Sequence, residues 1–163
     1  MKEKINKTNA IRILDAAKAK YELLSLNLPE NLPAVNARKV AEILNKRPEE
    51  VFKTLVTVGK SKEHYVFVVP GSAELDLRKA AKAVAEKSVE MIHAKELLPL
   101  TGYVHGGCSP VGMKKYFKTV IDISAENYET ITISAGRIGL HMELSLDELR
   151  KVIDFKLADI AIL

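Results

Sequence analysis

The sequence lacks tryptophan and carries one cysteine, Cys108, in 163 residues. A single thiol builds no disulfide framework, and without a CxxC pair there is no zinc ribbon or dithiol redox centre. One cysteine fits a reducing compartment, so a cytoplasmic protein is expected. The four histidines, His64, His93, His105 and His141, stand at no metal-ligand spacing. His105 and Cys108 are near each other but lack two further ligands. We therefore expect no metal and no cofactor. No apolar run is long enough to cross a bilayer and no signal-peptide pattern opens the chain, so no membrane partner is expected. Low-complexity segments, linkers and internal repeats are also missing. The only loose stretch is Leu26 to Val35, with two prolines, which reads as a loop inside one domain spanning residues 1–163. The charge excess is small: 25 basic against 21 acidic residues give a net +4. That permits a nucleic-acid partner without requiring one.

What the sequence does have is a concentrated glycine segment. Four of its eight glycines fall between Thr101 and Gly112, as Gly102, Gly106, Gly107 and Gly112. Glycines at this density let a backbone turn tightly and approach a ligand, and successive N–H groups can converge on an anion or a polarised oxygen. The same density also suits a plain connecting loop. It is not a P-loop, since the Gly-Lys-Ser/Thr ending is absent, nor a dinucleotide fingerprint, since the spacing is wrong. Lys114 and Lys115 follow directly.

Around this segment, helical and strand patterns are interspersed. Thr8 is placed to cap a helix over 9–20, and 36–44 has its apolar residues on one helical face. The β-branched and aromatic runs 52–58 and 64–69 flank a turn over 59–63 and predict a hairpin. Asp76, beside Glu74, reads as the cap of a helix through Glu86. Short strands are expected at 21–26, 89–92, 119–123, 130–134, 139–144 and 157–162. A helical turn is expected over 94–98, and the Ser145/Glu148 pair predicts a capped helix to 153. Hairpins mixed with helices, without a βαβ rhythm, define an α+β chain with a mixed or antiparallel sheet.

The residues suggest little conventional catalysis. Cys108 reads either as a packing residue in a tight loop or as half of a Cys–His nucleophilic pair with His105, and the pattern favours packing. Ser109 lacks a nucleophile-elbow context. Lys53 opens the apolar strand, either as a snorkelling surface residue or as a cation aimed into a pocket; the pattern alone favours the surface.

Four motifs carry a resemblance to a known family. Val51-Phe52-Lys53-Thr54-Leu55, Leu75-Asp76-Leu77-Arg78-Lys79-Ala80-Ala81-Lys82, the glycine segment with Ser109-Pro110-Val111-Gly112-Met113-Lys114-Lys115, and Ile131-Thr132-Ile133-Ser134 occur in order. With them the chain closely resembles the YbaK/EbsC group of Cys-tRNA(Pro) deacylases. The resemblance implies the editing-domain fold of some prolyl-tRNA synthetases: a mixed, mostly antiparallel sheet curled into a partial barrel, with surrounding helices. It implies a trans-acting deacylase that clears cysteine mischarged on tRNA(Pro), with that tRNA as partner and prolyl-tRNA synthetase as a possible one. The substrate's own thiol would attack the ester, a step formally lyase-like. Lys53, Gly106 and Gly107 would serve that step, the lysine on the tRNA end and the two amides on the carbonyl oxygen. Thr54, Ser109, Ser134, Gly136, Arg137 and His141 would line the substrate site. The alternatives are an Ala-tRNA(Pro) deacylase using an activated water, and a module that binds a nucleotide or tRNA end without turnover. Three departures bear on specificity. His141 stands where relatives carry Asp, the turn reads Ser134-Ala135-Gly136-Arg137-Ile138-Gly139 in place of Ser-Gly-Gly-Lys-Arg-Gly, and Asn27 and Asn36 occupy early aromatic positions.

Overall fold

A computed structural model describes residues 7–26 and 37–162. The loop expected after Leu26, together with Asn27 and Asn36, lies outside the described residues. In chain order the elements are α1 (Asn9–Ala16), β1 (Glu22–Ser25), α2 (Ala37–Leu44), a 3-10 turn (Pro48–Glu50), β2 (Phe52–Gly59), β3 (His64–Pro70), β4 (Glu74–Leu75), α3 (Leu77–Ala83), β5 (Val89–Met91) and α4 (Ala94–Thr101). They continue with β6 (Lys118–Asp122), a second 3-10 turn (Ile123–Asn127), β7 (Ile131–Arg137), β8 (Leu140–Leu144), α5 (Leu146–Leu149), β9 (Lys156–Ala158) and β10 (Ala161–Ile162).

The expected hairpin forms, with Phe52 opposite Pro70 and Val58 opposite His64. It is the middle of a five-stranded sheet in the order β5-β2-β3-β6-β9. β5 joins β2 antiparallel, whereas β6 joins β3, and β9 joins β6, in parallel. A second, antiparallel sheet has the order β1-β8-β7, and β10 pairs with β4. One parallel bridge between Val51 and Thr132 links β7 to the start of β2, curling the assembly without closing a barrel. The architecture is the α+β, mostly antiparallel arrangement that the sequence predicts.

β3 shows why the central strands read as continuous apolar runs. Val66 and Val68 enter one core, beside β7, β8 and α1. Tyr65, Phe67 and Val69 enter a second core, against α3. A strand covered on both faces has no solvent side on which polar residues could alternate.

Several boundaries move, some through local backbone geometry and others through partners far along the chain. Thr8 caps α1 by accepting from the Ile11 N–H at 3.2 Å, but the helix ends at Ala16 rather than Lys20, because Lys18 takes φ 55°. α3 stops at Ala83, before Ala85 at φ 58°. Asp76 caps α3, whereas Glu74 lies in β4 and caps nothing. α4 runs past Leu98 to Thr101 and ends at Gly102, with φ 86°. Only half of the Ser145/Glu148 capping box forms. Ser145 accepts from the Glu148 N–H at 3.2 Å, but the Glu148 carboxylate turns to the Lys20 N–H at 3.0 Å and to Lys151, and α5 ends at Leu149. The last expected strand divides in two. The buried Asp122 carboxylate accepts the N–H groups of Ile160 and Ala161 at 3.0 and 3.1 Å, bending the chain from β6 toward β4.

The glycine segment is folded around Tyr103. Its phenol donates to the Val111 carbonyl at 2.6 Å, closing the segment on itself. Gly112, at φ 82°, has room for no side chain: a Cβ there would stand 2.7 Å from the Tyr103 oxygen and 3.0 Å from the Ala10 nitrogen. Gly136, at φ 100°, meets the same ring from β7, where a Cβ would lie 2.8 Å from Cε1. These contacts fix the segment to α1 and to the β7–β8 turn. Gly112→Ala or Gly136→Ala combines a clash with left-handed strain and should lower unfolding free energy by about 2–4 kcal/mol. Tyr103→Phe leaves the Val111 carbonyl without its donor and should cost about 1–2 kcal/mol. Urea unfolding of the three variants measures both.

Candidate active site

Where β2 begins, the bridge to Thr132 brings Lys53 and Thr54 alongside Ser134 of β7, and Ser134 pairs across the ladder with His141 of β8. The glycine segment closes the third side with His105, Gly106 and Cys108. The walls are Val40, Val51, Phe52, Leu55 and Leu97, with Gly71 at the end of the hairpin. They enclose a cavity of about 270 Å³ that is more apolar than polar. No local pattern in the sequence marks Val40 or Leu97 as neighbours of Lys53; the packing of α2 against Val51 and of α4 against Phe52 puts them there, while Gly71 follows from the hairpin register.

The cavity shifts its ionisable groups in one sense. Burial disfavours charge, so the Lys53 ammonium lies below the usual lysine range, a shift that the charge of Glu74 partly opposes. Lys53 makes no hydrogen bond or ion pair with a described residue, so its position is that of a cation facing the cavity, not of a paired surface lysine. Burial pushes the Cys108 thiol up to about 12, against a hydrogen bond from Thr101 that lowers it, which leaves a neutral thiol at physiological pH. Burial likewise takes His141 down to about 4 and keeps its imidazole neutral. Two polar atoms of this site, Thr54 Oγ1 and His141 Nδ1, are buried without a partner among the described residues. Buried polar groups rarely stay unpaired, so both mark places where a bound molecule or water can supply the missing hydrogen bond.

The site residues expected from the sequence divide into two groups. Lys53, Thr54, Gly106, Ser134 and His141 line the cavity together. Gly107 does not: its N–H donates to the Val104 carbonyl at 3.0 Å, and a Cβ on it would lie 2.9 Å from the Ile138 nitrogen, so it packs on the β7–β8 turn. Ser109 is fully buried, does not line the cavity, and accepts from the Val111 N–H at 3.2 Å. Gly136 sits under Tyr103, and Arg137 is exposed on the turn. Ser134 accepts from the Gly136 N–H at 3.1 Å, which leaves its hydroxyl proton to donate. His105 and Cys108 do share the site, but no group of three or more His, Cys, Asp or Glu side chains gathers to hold a metal among the described residues.

A small apolar cavity with one half-buried cation at its mouth, built on this curled mixed sheet, defines a class, and comparison with known proteins identifies it. The model of the aminoacyl-tRNA editing domain matches residues 32–152, and the chain belongs to that family. A protein of Enterococcus faecalis, provisionally named Cys-tRNA(Pro)/Cys-tRNA(Cys) deacylase EbsC, is 42% identical over 94% of this chain and 93% of its own. A proline–tRNA ligase of Kosmotoga olearia is 28% identical over 76% of this chain, which matches 23% of that enzyme. Among solved structures, one provisionally described as a trans-editing enzyme for prolyl-tRNA synthetase has the same fold, with a TM-score of 0.81 at 23% identity over 98% of this chain and all of the other. No helix among the described residues is long and apolar enough to cross a membrane.

Two consequences of burial are measurable. His141 is neutral when folded but protonates near its ordinary pKa of 6.5 when unfolded, so the stability that it contributes is present above pH 6.5 and is lost as pH falls toward about 4. The loss should reach at most about 3 kcal/mol, and His141→Gln should flatten it in urea titrations across that window. Cys108 should react with iodoacetamide at pH 8 far more slowly than a free thiol of pKa about 8.5, and Cys108→Ala should stay folded and active. Mass spectrometry of the native and urea-unfolded protein follows the first and a deacylation assay the second.

Proposed function

We propose that the protein is a trans-acting deacylase that clears cysteine from mischarged tRNA(Pro), with the substrate's own thiol as nucleophile. The observation that carries this reading is that, among the described residues lining the cavity, the one thiol, Cys108, is neutral and buried, while Ser109 is fully buried and does not line it. The 42% identity to the Enterococcus protein supports the choice of substrate. Cysteine is close to proline in size, and steric fit alone separates such side chains by only about 1–3 kcal/mol, which is why a second, editing site is needed.

The chemistry then falls to the substrate. The cysteinyl sulfur attacks its ester carbonyl carbon, the C–S bond forms, and the ester C–O bond breaks. The ribose oxygen leaves with the thiol proton, giving free tRNA and a cyclic thioester. The protein's part is positioning and electrostatics. Lys53 meets the ribose or terminal phosphate as a cation. Gly106, whose N–H makes no hydrogen bond to a described residue, faces the carbonyl oxygen in place of the two-amide arrangement expected from the sequence. Thr54 and Ser134 hold the aminoacyl end. In a second reading the amino acid is alanine and the nucleophile is a water, held by a hydrogen bond to the Nδ1 of His141, which has no partner among the described residues.

Deacylation of Cys-, Ser- and Ala-tRNA(Pro) by the purified protein distinguishes the two. Thiol attack predicts a rate on Cys-tRNA(Pro) far above that on the serine ester, rising with pH toward the thiol pKa of about 8.5. Comparable rates on serine, or strong activity on alanine, which has no thiol, would instead assign the reaction to water. Lys53→Ala should lower turnover roughly 100-fold while its unfolding curve stays that of the parent.

A further inference from the structure

Immediately after the glycine segment, the chain carries Lys114, Lys115, Tyr116, Phe117 and Lys118, three cations in five residues with no acid among them. All three lysines are exposed, and none pairs with an acidic side chain among the described residues. Tyr116 is 72% exposed, the highest value of any large hydrophobic side chain among the described residues, the next being Leu98 and Ile162 at 51%. Phe117 does not share that exposure: it packs edge-on to His64, 6.2 Å between ring centres, and anchors the segment to the start of β3. A ring left in water between unpaired cations contributes nothing to the core, and it is the composition that suits a nucleic-acid strand, with lysines for phosphates and an aromatic face for a base.

Its distance from the active site is set by the sheet. Lys53 lies at one end of the β2–β3 hairpin; Val58, opposite His64, lies five residues along. At about 3.3 Å per residue the His64 end of the hairpin, where Phe117 anchors the basic segment, stands roughly 17 Å along the strand from Lys53. With a nucleotide rise of about 3.4 Å, that is about five nucleotides from a charged 3′ end held at Lys53. We propose that Lys115, Tyr116 and Lys118 form a second contact surface for the RNA strand that carries the amino acid, gripping it about five nucleotides from the ester and separating tRNA affinity from ester chemistry. This rests on the reading of the cavity as an aminoacyl-tRNA site.

The test is anisotropy binding of uncharged tRNA(Pro) across a salt series, with deacylation of Cys-tRNA(Pro) and of a cysteinyl ester of adenosine measured in parallel. Lys115→Ala/Lys118→Ala should weaken tRNA binding and flatten the slope of log K against log salt by about two, one contact per lysine. Tyr116→Ala should weaken binding roughly tenfold. Both should raise KM for charged tRNA with kcat unchanged, leave the short ester untouched, and Lys115→Arg/Lys118→Arg should bind like the parent. Unchanged tRNA affinity and salt slope in the alanine variants would overturn the surface, as would a loss of affinity for prolyl-tRNA synthetase in their place. If tRNA binds through the patch but no cysteine is released, the deacylase reading fails and the surface stands.

Discussion

The structure depends on the buried phenol of Tyr103. It holds the Val111 carbonyl, presses on Gly112 and Gly136, and so locks the glycine segment to α1 and to the β7–β8 turn at once. Thr8 strengthens the same junction, because it both caps α1 and donates to the Ala135 carbonyl. Without this knot the segment would be a free loop, and an amide such as that of Gly106 would have no fixed direction. A preorganised donor is effective because it needs no reordering when charge develops on its partner. The glycines are thus required twice over: some leave space for the ring, and Gly106 faces the cavity.

The second governing constraint is dielectric. Lys53, Cys108 and His141 share one cavity, and burial moves each toward its neutral form. Such a site cannot readily generate a thiolate or an imidazolium of its own. It can orient a neutral aminoacyl group beside one half-buried cation. Exclusion of water from the site strengthens any hydrogen bond offered there by Thr54 or Ser134. A site with these properties suits a substrate that brings its reactive group with it.

Much of the fold was legible because it is locally encoded. The hairpin could be read from two β-branched runs around a lysine-rich turn, and the Thr8 and Asp76 caps from single side chains placed before apolar helical faces. Beyond helix ends cut short by local positive φ at Lys18 and Ala85, readings failed where a residue's partner lay far along the chain. Glu148 abandoned its own helix for the Lys20 amide, and Asp122 broke the last strand in two through the amides of Ile160 and Ala161. Nothing in the local pattern records such pairings.

The sequence by itself determined the elements, the α+β class, the family and the cluster of glycines, because turn chemistry, capping and periodicity act over a few residues. It also supplied, through the motifs, the residues around which the site is built. The tertiary structure decided which of them meet. Gly106 faces the cavity while the Gly107 N–H goes to Val104, Ser109 is buried away from the lining, and Lys53 is a half-buried cation although its strand position reads as surface. Those outcomes rest on the Val51–Thr132 bridge and on Tyr103, contacts between segments tens of residues apart, and solvent exclusion exists only once such segments close around a common space.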